Sequence, residues 1–187
     1  MAIWKERPLV AGLSLAILAV GLAYAQQRNS VAVLTPQDYM EIQQLYALYA
    51  KAADLADGKG YAGTFTTDGE FVSARAPQNG QGEWTRTTSK GTESLTRTGS
   101  TGGLRHNFIN IHVTRTAQGA DATCYLLMYT ARTNPASLVT TATYEDTLVK
   151  TAEGWRFKKR VMWRDEDPLS PFKPPPLKNQ TQTTSRP

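Results

Sequence analysis

Between residues 35 and 58 the apolar side chains recur at helical spacing. Ile42, Leu45, Tyr46, Tyr49, Ala50 and Ala53 share one face, which predicts a long amphipathic helix laid on a core. Its start is well marked. Thr35 can cap the first amides, Pro36 suits a first turn that needs no donor, and Asp38 sits where the helix dipole favours negative charge. Gly58 is the expected stop. Asp54 lies on or beside the apolar face, four residues after Ala50. A carboxylate at the inner end of a core helix is either compensated by a partner or is a working part of a pocket. The next stretch, KGYAGTF, predicts a second short helix with Tyr61 and Phe65 turned inward.

From Asp68 the period falls to two. GEFVSA alternates as a short strand, RAPQNGQG carries turn chemistry with Asn79 and Gly80 as a hairpin tip, and EWTRTT reads as the return strand. The stretch KGTESLTRTGSTGG is polar, with one helical turn around Glu93 and Leu95. Four strand patterns complete the domain, at residues 104–116, 122–132, 138–151 and 155–166, joined by the short turns AQGAD, NPAS and AEG. Short turns between consecutive strands imply an antiparallel meander. Helices first and strands afterwards imply α+β: a curved antiparallel sheet with the long helix laid against it.

Composition adds a compartment more than a chemistry. The chain has 187 residues, 40% hydrophobic and 20% charged, enough for one packed domain. The net charge is +5 with a pI near 9.4, but the Lys and Arg are scattered. That favours a solvated basic surface and argues against a nucleic-acid partner. A positive start, MAIWKERP, then an apolar run, then Ala23-Tyr24-Ala25 form the pattern of a signal peptide over residues 1–25. The alternative is an uncleaved anchor, the one reading that brings in a membrane, but the run is short against the roughly 20 residues that a span needs. Either reading puts the domain outside the cytoplasm, periplasmic or secreted. Residues 26–34 serve as a linker and 35–166 as the domain. Residues 167–187, rich in proline, are expected to form a disordered or polyproline-like tail.

The candidate chemistry is sparse. The single cysteine, Cys124, lies in an apolar strand pattern and reads as a buried inert thiol. No Cys/His cluster has metal-ligand spacing, so no metal site is expected. Both histidines lie on one strand. Regular pleating would place His106, Phe108, Asn110 and His112 on one face, the wetter one. His106 is either a structural histidine tied to a carbonyl or a general base paired with Asp54, whose carboxylate would fix its tautomer and raise its basicity. The aromatics of the sheet and helix are core residues or cavity walls. A cavity walled by several of them suits a flat hydrophobic ligand. The last strand sets Trp155, Phe157, Val161 and Trp163 against Arg156, Lys158, Arg160 and Arg164. The basic set reads as a solvent face, with an anion-attracting rim or dimer face as the other possibility, and Lys159 breaks the alternation and hints at a bulge.

Three stretches, in order, resemble the SnoaL-like family of the nuclear-transport-factor-2-like superfamily, whose relatives include scytalone dehydratase and ketosteroid isomerase. They are Asp54, Asp57, Phe65 and Asp68 after a tyrosine-bearing helix, then Arg105, His106 and Asn110, then Tyr144, Asp146, Gly154, Trp155, Arg156 and Arg160. The resemblance spans residues 36–164. It implies a cone, a curved sheet wrapped around the long helix with a pocket at the open end. It also implies a dyad of His106 as proton-abstracting base and Asp54 as its support, homodimerisation, and dehydratase or isomerase chemistry on a small hydrophobic molecule without a cofactor. Non-catalytic binding or dimerisation in the cell envelope is the competing expectation. Tyr49, Asn110, Phe65, Tyr125 and Trp163 are the expected ligand contacts. Ala53 stands where scytalone dehydratase has a pocket tyrosine, which argues against that enzyme's own substrate.

Overall fold

The computed structural model describes residues 33–77, 82–100, 102–130 and 132–173. The signal peptide, the linker up to residue 32, the Asn79-Gly80 tip and the tail from residue 174 lie outside the described residues. In chain order the elements are α1 (Pro36–Asp54), α2 (Gly58–Gly63), β1 (Phe65–Arg75), β2 (Thr85–Lys90), α3 (Gly91–Gly99), β3 (Leu104–Arg115), β4 (Ala120–Thr130), β5 (Ser137–Thr151) and β6 (Gly154–Arg164). The six strands form one sheet in the order β2-β1-β6-β5-β4-β3. Strands β3 to β6 make the expected meander, and β1 closes against β6 as the one parallel pair. The curved sheet wraps around α1. Ile42, Leu45, Tyr46, Tyr49 and Ala52 from the helix meet Ala122, Cys124, Leu126, Tyr144, Leu148 and Phe157 from the strands in one core. Cys124 is buried there, and desolvation pushes its thiol up to about 12, so it is inert at neutral pH.

Helix α1 begins as its sequence predicts. Thr35 Oγ1 accepts from the Asp38 amide at 3.2 Å and the Asp38 carboxylate accepts from the Thr35 amide at 2.9 Å, a reciprocal capping box. Asp38 also accepts from Lys150 Nζ at 2.6 Å and from Trp155 Nε1 at 3.0 Å. One carboxylate therefore ties the helix start to both strands of the β5–β6 hairpin.

The end of α1 differs from expectation. The helix stops at Asp54, and Ala56 turns the chain with φ of 58°. Gly58 opens α2 instead, capped by Asp57, whose carboxylate accepts from the Gly60 amide at 2.9 Å. Gly58 is needed for closeness: a Cβ there would lie 2.3 Å from the carbonyl oxygen of Thr96 on α3. The polar stretch after β2 is a nine-residue helix rather than one turn, because Leu95 buries completely beneath it. Phe65 belongs to β1, not to α2.

Of the register shifts in the sheet, two bear on the site by resetting which residues face the core. On β3 the register with β4 shifts between Ile109 and His112, and Asn110 adopts φ of 52°. On β6 the register with β5 jumps a residue at Lys158, so Thr147 pairs with Lys159 while Leu148 pairs with Phe157. An extra residue reverses the in–out alternation beyond it.

The tail does not begin at Asp167. Asp167 is fully buried and forms an ion pair with Arg86 of β2 at 2.5 Å, and Ser170 is buried one turn later. A carboxylate held by a guanidinium folds these residues back onto the sheet, so the packed domain extends past residue 166.

The Lys150 ammonium beside Asp38, with the Thr35 and Trp155 donors, holds the Asp38 carboxyl well below the usual carboxylate range. A lowered folded-state value means stability that is fully present above the unfolded value and lost as pH falls. Asp38→Asn should therefore lower the urea midpoint at pH 7. The deficit should shrink below about pH 4, where the unfolded aspartate becomes protonated. A deficit equally large at pH 3 and pH 7 would contradict this role.

Candidate active site

The end of α1 and the start of β3 bring Asp54 and His106 together across 52 residues of sequence. Asp54 Oδ1 lies 2.7 Å from His106 Nδ1 and also accepts from the His106 backbone amide at 3.0 Å. The two contacts to one oxygen fix the carboxylate against the strand and fix the ring plane. A carboxylate on Nδ1 selects the tautomer with its proton on that nitrogen and leaves Nε2 as the basic one. Both side chains are mostly enclosed, with 16% and 13% of their surface exposed for His106 and Asp54.

His106 borders a cavity of about 190 Å³ inside the cone. Tyr49, Tyr61, Phe71, Tyr144, Met128 and Met162 supply most of its remaining wall. The cavity is smaller than the roughly 300–1,000 Å³ usual for drug-sized ligands, so it suits a compact molecule of about one ring. The hydroxyls of Tyr49 and Tyr61 are 2.9 Å apart. Burial pushes the phenols of Tyr49, Tyr61 and Tyr144 above their ordinary range. All three stay protonated. One hydroxyl of the Tyr49–Tyr61 pair donates to the other, which leaves the second hydroxyl of that pair a hydrogen to donate to an oxygen placed there.

Beneath this wall lies a charge that the alternation of β6 assigned to solvent. Because of the bulge at Lys158, Arg160 points into the core and is completely buried. Its Nε and Nη2 donate to the two oxygens of Asp146 at 2.8 and 3.0 Å, and Tyr46 Oη donates to the same carboxylate at 2.5 Å. The guanidinium sits 4.0–4.9 Å from the ring centres of Phe157, Tyr49, Tyr144, Tyr46 and Phe108. These rings enclose Nη1, which has no hydrogen-bond partner, and their faces attract the cation electrostatically. Burial raises the Asp146 carboxyl, against the pull of Arg160 and the Tyr46 hydroxyl. Two walls of the cavity, Tyr49 and Tyr144, are thus seated directly on this cation.

Of the expected ligand contacts, Tyr49 borders the cavity with His106 and the others do not. Phe65 packs below it, with its ring 5.5 Å from that of Tyr61 and 5.6 Å from that of Phe157. Asn110 occupies the β3 bulge and is exposed, as is His112 beyond it, while Ile111 and Val113 pack against the core. The predicted common face of His106, Asn110 and His112 therefore does not form. Tyr125 is 52% exposed, because Ala122, Cys124 and Leu126 set the inward phase of β4. Trp163 falls on the outer side after the β6 bulge, bonded to Glu145 at 2.6 Å and covered by Arg86 at 4.2 Å. In the sequence Tyr61 reads as an inward residue of the second helix, Tyr144 as part of the family pattern and Phe71 as an aromatic undecided between core and cavity, and nothing there sets them beside His106. Arg160 had two signals, the broken alternation at Lys159 and its place in the family pattern. Among the described residues no group of three or more His, Cys, Asp or Glu could hold a metal ion.

A family model described as a SnoaL-like domain matches residues 35–161. No curated protein sequence matches the chain significantly. Among solved structures, an NTF2-like protein with a cystatin-like fold from Novosphingobium aromaticivorans is 21% identical. Its TM-score is 0.56, over 79% of this chain and 88% of that one. A protein from Catenulispora acidiphila in complex with S-DNPA is 26% identical, with TM-score 0.55 over 68% and 92%. A putative aromatic ring hydroxylase from Novosphingobium aromaticivorans is 22% identical, with TM-score 0.54 over 73% and 92%.

Removing one partner of a buried ion pair strands the other, whereas replacing both with apolar groups is often nearly neutral. Arg160→Met should cost about 3–5 kcal/mol in denaturant unfolding, and the double variant Arg160→Met, Asp146→Leu should recover a large part of that loss. A double variant no more stable than the single one would count against the pair as the source of the loss.

Proposed function

This chain belongs to the SnoaL-like family, and on that premise we propose that it is a small-molecule enzyme that abstracts a proton from carbon, with dehydration or isomerisation as the outcome. The observation that carries the proposal is the 2.7 Å bond between Asp54 Oδ1 and His106 Nδ1 at the wall of an aromatic cavity. His106 Nε2 removes a proton from the carbon next to a carbonyl group. The electron pair moves onto the carbonyl oxygen, where a tyrosine hydroxyl, Tyr49 being the best placed of the expected contacts, hydrogen-bonds the enolate. Asp54 holds the tautomer and stabilises the imidazolium that results. The enolate then collapses in one of two ways. It expels a β-hydroxyl, which leaves as water with the proton from His106, or, where the substrate carries a β,γ double bond, the dienolate takes that proton back at the γ-carbon and the double bond moves into conjugation.

The cavity's size and lining favour a compact hydrophobic substrate, and the similar Catenulispora protein was solved in complex with S-DNPA. The chemistry proposed needs no cofactor. We further propose that the protein works as a homodimer in the periplasm or after secretion. The exposed Ile109, Tyr125, Leu138 and Val139 on the outer sheet face supply an apolar patch for self-association, and the leader at residues 1–25 supplies the address.

The test uses 3-hydroxycyclohexanone in deuterated buffer, with ultraviolet absorbance reporting the enone and NMR reporting exchange at the α-carbon. The purified protein should accelerate one or both. His106→Ala should lower the rate by about a hundredfold or more with an unchanged circular dichroism spectrum. Asp54→Asn should lower it as well, by disturbing the tautomer. Retention of the rate in His106→Ala would overturn the assignment of the base. Saturable binding of the ketone without exchange or elimination would favour non-catalytic ligand binding in the same cavity.

A further inference from the structure

Behind the dyad, a second recess of about 400 Å³ opens to solvent. Asp54, Leu55 and Ala56 form one side, Gly102 and Gly103 its floor, and Arg105 and Arg132 the other side. Gly102 also borders the inner cavity, so the two spaces adjoin there. The floor is bare of side chains for a reason. Gly102 and Gly103 have φ of 46° and 91°, and a Cβ on Gly103 would lie 2.5 Å from Arg132 Nη2. The guanidinium of Arg132 thus lies over the glycine backbone. The Gly103 amide bonds the Asp54 carbonyl oxygen at 3.3 Å, which anchors this floor to the end of α1.

The charge balance in the recess is uneven. Arg105 Nη1 donates to the Leu104 carbonyl at 3.0 Å. Among the described residues neither Arg105 nor Arg132 forms an ion pair, which is also true of Arg75, Arg115 and Arg156, whereas Arg86, Arg97, Arg160 and Arg164 each do. The one acid that lines the recess, Asp54, already gives Oδ1 to two donors of His106. Two guanidiniums that share one concave wall and lack a carboxylate of their own suit an anion. Their planar forks match the paired oxygens of a carboxylate, as they do those of a phosphate.

We propose that this recess is a carboxylate subsite, taking the acidic substituent of a ring-bearing ligand whose ring occupies the inner cavity. The proposal rests on the reading of the inner cavity as the ligand site, and it adds that the substrate is an aryl- or cycloalkyl-alkanoic acid rather than a neutral compound. Arg105 and Arg132 would then be specificity residues, acting on binding and not on the proton transfer.

Calorimetric titration with phenylacetate, 3-phenylpropanoate and 4-phenylbutanoate, with their primary amides, and with acetate tests it. At the best spacer length the acid should bind roughly tenfold more tightly than its amide. That preference should weaken as salt is raised from 50 to 500 mM, values chosen to bracket physiological screening at about 150 mM. Arg105→Gln with Arg132→Gln should abolish the preference. Both side chains are exposed, so the fold is expected to survive, and a thermal melt checks this. His106→Ala should keep the preference, so the subsite is scored by binding alone and stands or falls independently of the base. Equal binding of acid and amide at every length, no binding by any of the acids, or a preference that survives the double substitution would overturn the proposal. Acetate binding as tightly as the arylalkanoates would overturn it too, because the recess would then hold free anions.

Discussion

A guanidinium with no access to water stands at the centre of this fold. Arg160 is completely buried, paired through two nitrogens with Asp146 and surrounded by five aromatic rings. An ion stripped of solvent must find its whole environment in the protein, and each group that it finds becomes fixed in return. Tyr46 is held by its bond to Asp146, and Tyr49 and Tyr144 by their faces against the cation. Since Tyr49 and Tyr144 also wall the inner cavity, the shape of that cavity depends on a charge that never touches it. The bulge at Lys158 is the backbone condition for this arrangement, because without the extra residue the Arg160 side chain would point to solvent.

The dyad depends on a different constraint. Asp54 is the last residue of α1, and it accepts a backbone donor as well as the imidazole of its partner. The backbone bond pins the helix end to β3, and the Gly103 amide, donating to the Asp54 carbonyl oxygen, pins it a second time. At the opposite end of α1, Asp38 joins the helix to β5 and β6. The helix is therefore fastened by a carboxylate at each end. The one at its start serves structure, and the one at its finish lies beside the cavity. The same helix end borders the basic recess through Asp54, Leu55 and Ala56, and Gly102 lines both that recess and the inner aromatic cavity.

Patterns of hydrophobicity made the long helix, its capping residues, the meander and the α+β class legible, because each depends on local periodicity and on turn residues. Pairing Asp54 with His106 needed the family pattern in addition, since no local signal joins residues 52 positions apart. Asn110, Tyr125 and Trp163 were assigned to the ligand from regular alternation or from their chemical type. Two of these assignments failed at bulges, and Tyr125 failed because the inward phase of β4 belongs to its even-numbered residues. Phe65 was correctly read as inward but lies one layer beneath the cavity.

By itself the sequence determined the long helix and the strands of the meander, which residue caps the first helix, that Cys124 would be a buried thiol, and which family pattern the chain carries. These follow from spacing along the chain, where neighbours fix one another through the backbone. Only the tertiary structure decided that Arg160 faces inward, that Asn110 and His112 face outward, that Asp167 belongs to the packed domain, and that three tyrosines share a wall with His106. The physical reason is that directions and neighbours are set between elements as well as along them. A single inserted residue or a distant charge partner inverts a side chain's direction without changing the local pattern, and its consequence becomes visible only once strands far apart in sequence are laid side by side.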